Sequence, residues 1–460
     1  MPLVAGVDSS TQATKVEIRD VASGEVVAAG RAGHPAVTPP ISEQDPDSWW
    51  SAFSAAWADA GSLDVAAISV GGQQHGMVAL DADDRPVHPA KLWNDMESAA
   101  DADWLVEQLG GADAWADAVG SVPVAAFTIT KLSWLHRVHP DAWSQLSRVL
   151  LPHDELNRRL TGRYTTDRGD ASGTGYWSPS SGDYRWDLLD IVDETRDWRD
   201  VVPTVLGPMD VAGDWNGTAV APGTGDNMAA ALGVGLRPGD AVMSIGTSGT
   251  VYAVSATPTT DPSGAVAGFA DATGRYLPLV CTSNAAKVTD AVRRLLGVDR
   301  AEFDDLALTA EPDGPVLLPY FDGERTPNRP DARGTIGGLR TDVTRAQFAR
   351  AAVDGVACGL LDGLDALRRL TTLDGRLVLV GGGSKSTAMQ QVIAGLAEMP
   401  VIVSEADEAV ATGAAVQAAA VLEQVDHAVI QDRWSLGSGR PVSGIDGGDI
   451  RARYAALRDA

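Results

Sequence analysis

The chain has 460 residues, 44% of them hydrophobic and 21% charged, the make-up of an ordinary globular protein long enough for two or three domains. Its 62 acidic residues against 36 Lys plus Arg leave a formal charge of -26, a field that repels phosphate backbones and anionic lipid and so excludes nucleic acid and membrane as main partners. An anionic small ligand would have to be held by local devices instead: backbone N–H groups, helix N-termini and a divalent cation.

Taken in order, residues 3–7 are apolar and predict a strand, residues 8–14 form a small polar turn, and residues 15–19 alternate as a second strand. Gly24 turns the chain into a third strand over 25–28. Asp45 and Pro46 open a helix as N-cap and first helical residue. Residues 65–70 predict a buried strand that stops at Gly71-Gly72. Trp215-Asn216-Gly217-Thr218 is the expected hinge, and the opening pattern then recurs: an apolar strand over 241–245, the turn Gly246-Thr247-Ser248-Gly249, and a strand over 250–254. A strand–turn–strand unit occurring twice, half a chain apart, predicts a duplicated α/β domain and not a solenoid, whose period is ~20–50 residues.

Further on, Thr344 caps a helix expected to run to Arg369, and a strand over 376–380 meets Gly381-Gly382-Gly383. A helix over 387–398, a strand over 400–404 and an Ala-rich helix from near Glu408 follow. The expected domains are residues 1–218 and 219–448, with a terminal helix over 449–460 packing back on the first. Cys281 and Cys358 are far apart and read as buried thiols in a reducing compartment. The first eight residues carry no basic segment of a signal peptide, and the apolar run over 409–422 is too short to span a bilayer, so a cytoplasmic location is expected.

Several positions have the residue types for phosphate and hydroxyl chemistry. Asp8 ends the first strand beside a small-residue turn, where a carboxylate can hold metal-bound water while the N–H groups of residues 9–14 face phosphate oxygens. Taken alone, such an Asp is more commonly a turn cap. Asp226, in Gly225-Asp226-Asn227 before a run of small residues, is placed either to take a proton from a bound hydroxyl or to cap a helix. Gln73-Gln74-His75 ends the buried strand over 65–70 with polar groups suited to sugar hydroxyls, although a structural His is the plainer reading. Trp93-Asn94-Asp95 offers an aromatic wall beside polar groups, or simply a core Trp. Gly382, Gly383 and Ser386 lie where a strand gives way to a helix and a flat ligand can approach the backbone.

Together these segments resemble the FGGY carbohydrate kinases, over essentially the whole chain and in order. The residues that carry the resemblance are 8–15, Gly72-Gln73-Gln74-His75-Gly76, Leu92-Trp93-Asn94-Asp95, 127–135, Gly225-Asp226-Asn227, Ser244-Ile245-Gly246-Thr247-Ser248-Gly249, 320–327 and 381–386. The resemblance implies an α/β fold of two actin-like, ribonuclease-H-like ATPase domains with the active site in the cleft between them. It implies transfer of the γ-phosphoryl group of ATP, with Mg²⁺, to a ketopentose, D-xylulose in the branch the sugar-site motifs match. By position, Asp226 becomes the general base and Asp8 the organiser of Mg²⁺ through water. Gln74, His75, Trp93 and Asn227 would meet the sugar. Ser10, Thr11, Lys15, Gly246 and Thr247 would meet the phosphates, and Gly382, Gly383 and Ser386 the adenosine.

The family's pattern is not kept everywhere. Ser10 stands where Gly is usual, Gln12 where Ser or Thr is, and Gln74 where Met is common. After Trp93-Asn94-Asp95 the usual Gly-Arg or Thr-Arg is Met96-Glu97, a reversal of charge; Ala126 also departs, and the stretch before Asp226 is short. A sister kinase acting on L-ribulose, another ketose or glycerol is the alternative enzyme. A catalytically dead sugar-binding relative or an actin-like ATPase of another class are the alternatives outside it. The expected partners are ATP and a small ketose, with neither nucleic acid nor membrane, and a homodimer is left open.

Overall fold

Strand Leu3–Ser9 is central to the first of two units into which residues 2–460, those the computed structural model describes, divide. This unit comprises the chain up to Leu236, Ala256–Leu277 and Ala406–Gly437. Leu3–Ser9 pairs antiparallel with Ala13–Asp20 and parallel with Ala67–Gly72, and Ala13–Asp20 pairs antiparallel with Val26–Gly33. Thr218–Val220 and the short strand Thr224–Gly225 both run parallel to Ala67–Gly72. Every residue of Ala67–Gly72 is buried, which is why that strand reads as a continuous run of small and apolar residues without alternation.

Helix Ala409–Glu423 lies directly on the central strand, and small residues allow it. A Cβ on Gly6 would stand 1.9 Å from the Ala411 carbonyl oxygen, and one on Gly413 1.7 Å from that of Ala229. The Ala-rich composition of this helix is thus a packing requirement, since the backbones meet where side chains would otherwise sit.

The second unit, Arg237–Ser255, Pro278–Glu405 and Ser438–Ala460, repeats the scheme. Its central strand Ala241–Ile245 pairs antiparallel with Gly249–Ala253 and parallel with Leu377–Val380, which in turn runs parallel to Val401–Ser404. Gly249–Ala253 pairs antiparallel with Tyr276–Thr282. The order of strands and their senses therefore match the first unit, and the duplication expected from the two strand–turn–strand segments is present. Helix Arg345–Arg368 begins at Thr344, whose hydroxyl accepts from the Gln347 N–H while the Gln347 side chain accepts from the Thr344 N–H.

Three expectations need correction. Residues 215–218 are not a hinge but a hairpin turn joining Gly213–Trp215 to Thr218–Val220. Asn216 and Gly217 take φ of 53° and 89°, the two left-handed residues that a tight hairpin requires. Trp215 is fixed there by edge contacts with Phe53 and Trp57. The C-terminal helix, Ile450–Arg458, belongs to the second unit: Ile450 and Tyr454 are buried with Val316, Leu318 and Cys358, and Arg451 and Arg458 pair with Asp362. Finally, Cys358 is buried, but Cys281 is only partly so. Among the described residues, no helix is long and apolar enough to cross a membrane.

Candidate active site

In the first unit, three neighbouring parallel strands end side by side. Asp8 pairs with Gly71, Ser9 with Gly72, Thr224 with Gly71 and Gly225 with Gly72. Asp8, Gln73-Gln74-His75 and Asp226 thus leave the sheet at its carboxyl edge, where α/β folds gather ligand-binding groups.

Asp226 is the first residue of helix Asp226–Gly233, and the N-cap is Gly225. Asp226 is therefore not the N-cap, although its carboxyl lies by the first helical N–H groups, those of Asp226 and Asn227. Asn227 Nδ2 donates to Asp226 Oδ1 at 3.1 Å and to Gln74 Oε1 at 2.8 Å, which links the two side chains expected at the acceptor. Burial first, then repulsion from Asp8 and Asp170, pushes the Asp226 carboxyl up to about 7. A carboxylate tuned to that range is suited to take a proton near neutral pH.

His75 takes φ of 65°, and its Nδ1–H donates to the Gly173 carbonyl oxygen at 2.8 Å, which leaves Nε2 as the acceptor in the neutral ring. Phe127 stacks on the ring at 5.1 Å and Phe269 lies at 5.4 Å. Trp93 is 39% exposed, so it is no core residue, and its Nε1–H donates to Thr11 Oγ1 at 3.0 Å. The Thr11 hydroxyl in turn donates to Gln73 Oε1 at 3.1 Å. Thr11 is thereby tied to the Trp93 side of the site, and Ser10 Oγ donates to the Ala13 carbonyl within its own turn. The Ser10 N–H is likewise spent on the Ala13 carbonyl oxygen, at 3.1 Å, so of these two residues it is Thr11 that can offer an anion its backbone N–H.

Lys15 Nζ bridges Asp8 at 3.2 Å and Glu408 at 2.6 Å. Burial works against the Lys15 charge, but Glu408 and Asp8 outweigh it and hold its pKa above the ordinary value. For Asp8, burial outweighs Lys15 and raises the carboxyl's pKa. Asp8 Oδ1, Gln73 Nε2, Gln74 Nε2 and Asn94 Oδ1 are buried with no protein partner. Buried polar atoms are rarely left so, and this set around one strand edge has the donors and acceptors a polyhydroxylated ligand and a hydrated cation would satisfy.

Beneath the edge lies a group that sequence reading missed. His153 is fully buried, its Nδ1 2.7 Å from Asp170 Oδ2, its Nε2 3.2 Å from Asp154 Oδ1 without hydrogen-bond alignment, and 4.0 Å from Asp167. Burial disfavours its charge, yet the three aspartates prevail and raise it to an imidazolium at neutral pH. The Thr224 hydroxyl donates to Asp167 at 2.7 Å, so the cluster reaches the segment that carries Asp226. His153 also underlies both Gly72 and Gly223, where a Cβ would come within 2.7 Å and 2.6 Å of its side chain. The sequence signal was Pro152-His153-Asp154 opening a helix and Asp167 capping the next, each of which looks only local.

In the second unit, Gly246, Thr247, Gly382, Gly383 and Ser386 line one cavity of ≈ 710 Å³, with Phe303, Leu308 and Met389 as apolar walls. Size and lining suit a nucleoside. Gly382 has open space at its Cβ position, whereas a Cβ on Gly383 would stand 2.5 Å from Ile245 Cγ2. The Ser386 hydroxyl donates to Asp304 at 2.6 Å and accepts from the Met389 N–H at 3.2 Å, so it first of all caps helix Thr387–Leu396.

Against known proteins, residues 3–233 match the N-terminal domain and residues 241–422 the C-terminal domain of the FGGY family of carbohydrate kinases. The chain is 48% identical to a xylulose kinase of Streptomyces coelicolor over 97% of its own length and 93% of that protein's, and 47% identical to one of Streptomyces rubiginosus over the same shares. The crystal structure of a xylulose kinase from Bifidobacterium adolescentis, 40% identical, covers 99% of both chains with a TM-score of 0.89.

Proposed function

We propose, starting from the fact that the chain belongs to the FGGY family of carbohydrate kinases, that it phosphorylates D-xylulose with ATP to give D-xylulose 5-phosphate. The acceptor follows from the near full-length likeness to xylulose kinases; the chemistry is carried by Asp226, a carboxylate tuned towards neutrality beside Gln74 and Asn227.

In this reading Asp226 takes the proton of the sugar hydroxyl as its oxygen attacks the γ-phosphorus, and the bond to the β-phosphate oxygen breaks. Asn227 holds Asp226 and Gln74 in one arrangement, Gln74 Nε2 and His75 Nε2 meet sugar oxygens or hydroxyls, and Trp93 backs the carbon chain. Lys15 and the Thr11 N–H are assigned to phosphate oxygens, and so are the Ser10 turn, Gly246 and Thr247. The cavity beside Gly382, Gly383 and Ser386 takes the adenosine. Asp8, whose buried Oδ1 has no protein partner, would hold Mg²⁺ through water, and that ion when bound would neutralise charge on the phosphates. Cys281 and Cys358, both free thiols, support a cytoplasmic setting.

A coupled ADP-release assay over ketoses and polyols tests the acceptor. D-Xylulose should give the highest kcat/KM, L-ribulose and D-ribulose lower values, and glycerol the lowest. An acceptor that leaves one buried polar group unpaired loses roughly 1–3 kcal/mol, or ~5–150-fold. Glycerol or another polyol at the top of the series would overturn the assignment. His75→Ala should raise KM for the ketose by about 10-fold or more and leave KM for ATP nearly unchanged, because uniform binding is lost on the sugar side alone. Loss of ATP affinity with sugar affinity kept would remove His75 from the acceptor site.

A further inference from the structure

Lys91 is a deeply buried cation near the acceptor groups, and nothing in the mechanism above uses it. Its side chain is 1% exposed, yet its ammonium sits among three carboxylates: Glu43 at 2.7 Å, Asp95 at 3.2 Å, and Glu97. The face of Trp134 closes the fourth side, 4.0 Å from Nζ. Those three carboxylates lie within 4.8 Å of one another, an arrangement that without an enclosed cation would fly apart.

The four groups tie together three segments. Glu43 belongs to the two-residue strand Glu43–Gln44 that pairs with Ala90–Lys91. Lys91 also exchanges backbone hydrogen bonds with Met77, two residues beyond His75. Asp95, fully buried, accepts from the N–H groups of Ser42 at 2.7 Å and Glu97 at 3.0 Å, which folds residues 92–97 into a closed loop. Trp93 and Asn94 ride on that loop, and the Trp93 indole reaches Thr11 from it.

Glu97 adds a third negative charge to Glu43 and Asp95, and Lys91 supplies the cation that offsets them. Burying an ammonium is costly and an apolar side chain would usually be as stable, so its presence points to a demand for geometry.

We propose that Lys91 is the positioning residue of the acceptor site, its charge gathering Glu43, Asp95 and Glu97 so that the loop holds Trp93 and Asn94 in place. The proposal rests on the assignment of Trp93 to the acceptor site, and the test separates the two. In Lys91→Met, deuterium exchange at the amides of residues 92–97 should speed up, and KM for D-xylulose should rise about 10-fold or more with kcat and KM for ATP within about 3-fold. The milder Glu97→Gln, which keeps Lys91 with Asp95 and Glu43, should raise KM by only about 2–5-fold and guards against a Lys91 variant that fails to fold. Returning the charge, as Lys91→Leu with Glu97→Arg, should recover most of the loss, a rescue that mere packing would not give. Unchanged exchange over 92–97 overturns the positioning role and leaves the acceptor assignment standing. Faster exchange with an unchanged KM for D-xylulose overturns both, since the loop would then be released without consequence for the acceptor. A double variant no better than Lys91→Met overturns the role given to the cluster's cation.

Discussion

Replacing Asp226 by Asn is expected to lower kcat by about 10²–10⁴-fold while the ketose still binds, the loss typical of a removed general base. Asn keeps the shape and can still accept from Asn227, so the change tests proton transfer and not packing. The pH profile gives a second reading of the same group. Since burial and the neighbouring Asp8 and Asp170 raise the Asp226 carboxyl to about 7, it is protonated and unable to accept below that pH. Wild-type kcat/KM should therefore fall towards acid with an apparent pKa of about 7, and the residual rate of the Asn variant should lack that limb. Near wild-type turnover in Asp226→Asn, or an acid limb that persists in it, would take the base role away from this residue.

His153→Leu is expected to destabilise the first unit by roughly 3–5 kcal/mol, the cost of leaving a buried charge without its partner. The variant keeps Asp154, Asp167 and Asp170, all fully or almost fully buried, and deletes the cation between them. The three carboxyls must then repel one another or take up protons. The midpoint of denaturant unfolding, followed by a signal from the first unit, reports the loss. His153→Leu combined with Asp170→Leu should recover part of it, because the closest ion pair is then replaced by apolar groups and not broken. Full stability in the single variant would show that the imidazolium is not what holds the aspartates together.

The helix starts and buried strands were readable because their signals are local. Asp45 before Pro46 and Thr344 before Gln347 carry capping chemistry within a few residues, and the structure uses both. The recurrence of strand and small-residue turn at residues 3–14 and 241–249 foretold two matching sheets, since an apolar run ending in a turn has few ways to be buried. The hinge failed for an equally local reason: Asn216-Gly217 signals a sharp turn, and a sharp turn inside a hairpin looks no different in sequence from one between domains.

For the candidate site, the chain's order of residues was enough to single out Asp8, Gln74, His75, Trp93 and Asp226, because each stands beside a strand end or a glycine turn. Which of them share an edge was decided by the pairing of Leu3–Ser9, Ala67–Gly72 and Thr224–Gly225. The charge partners were not readable at all. Lys15 meets Glu408 across 393 positions of sequence, Lys91 meets Glu43 from a neighbouring strand, and His153 meets Asp167 and Asp170 from a separate turn. Sequence thus determined the elements, their duplication and the kinds of side chain at the strand ends, all of which depend on neighbours within a few residues. The tertiary structure alone decided which buried charges face one another, because a charge removed from water must find its partner in space, wherever the chain happens to bring one.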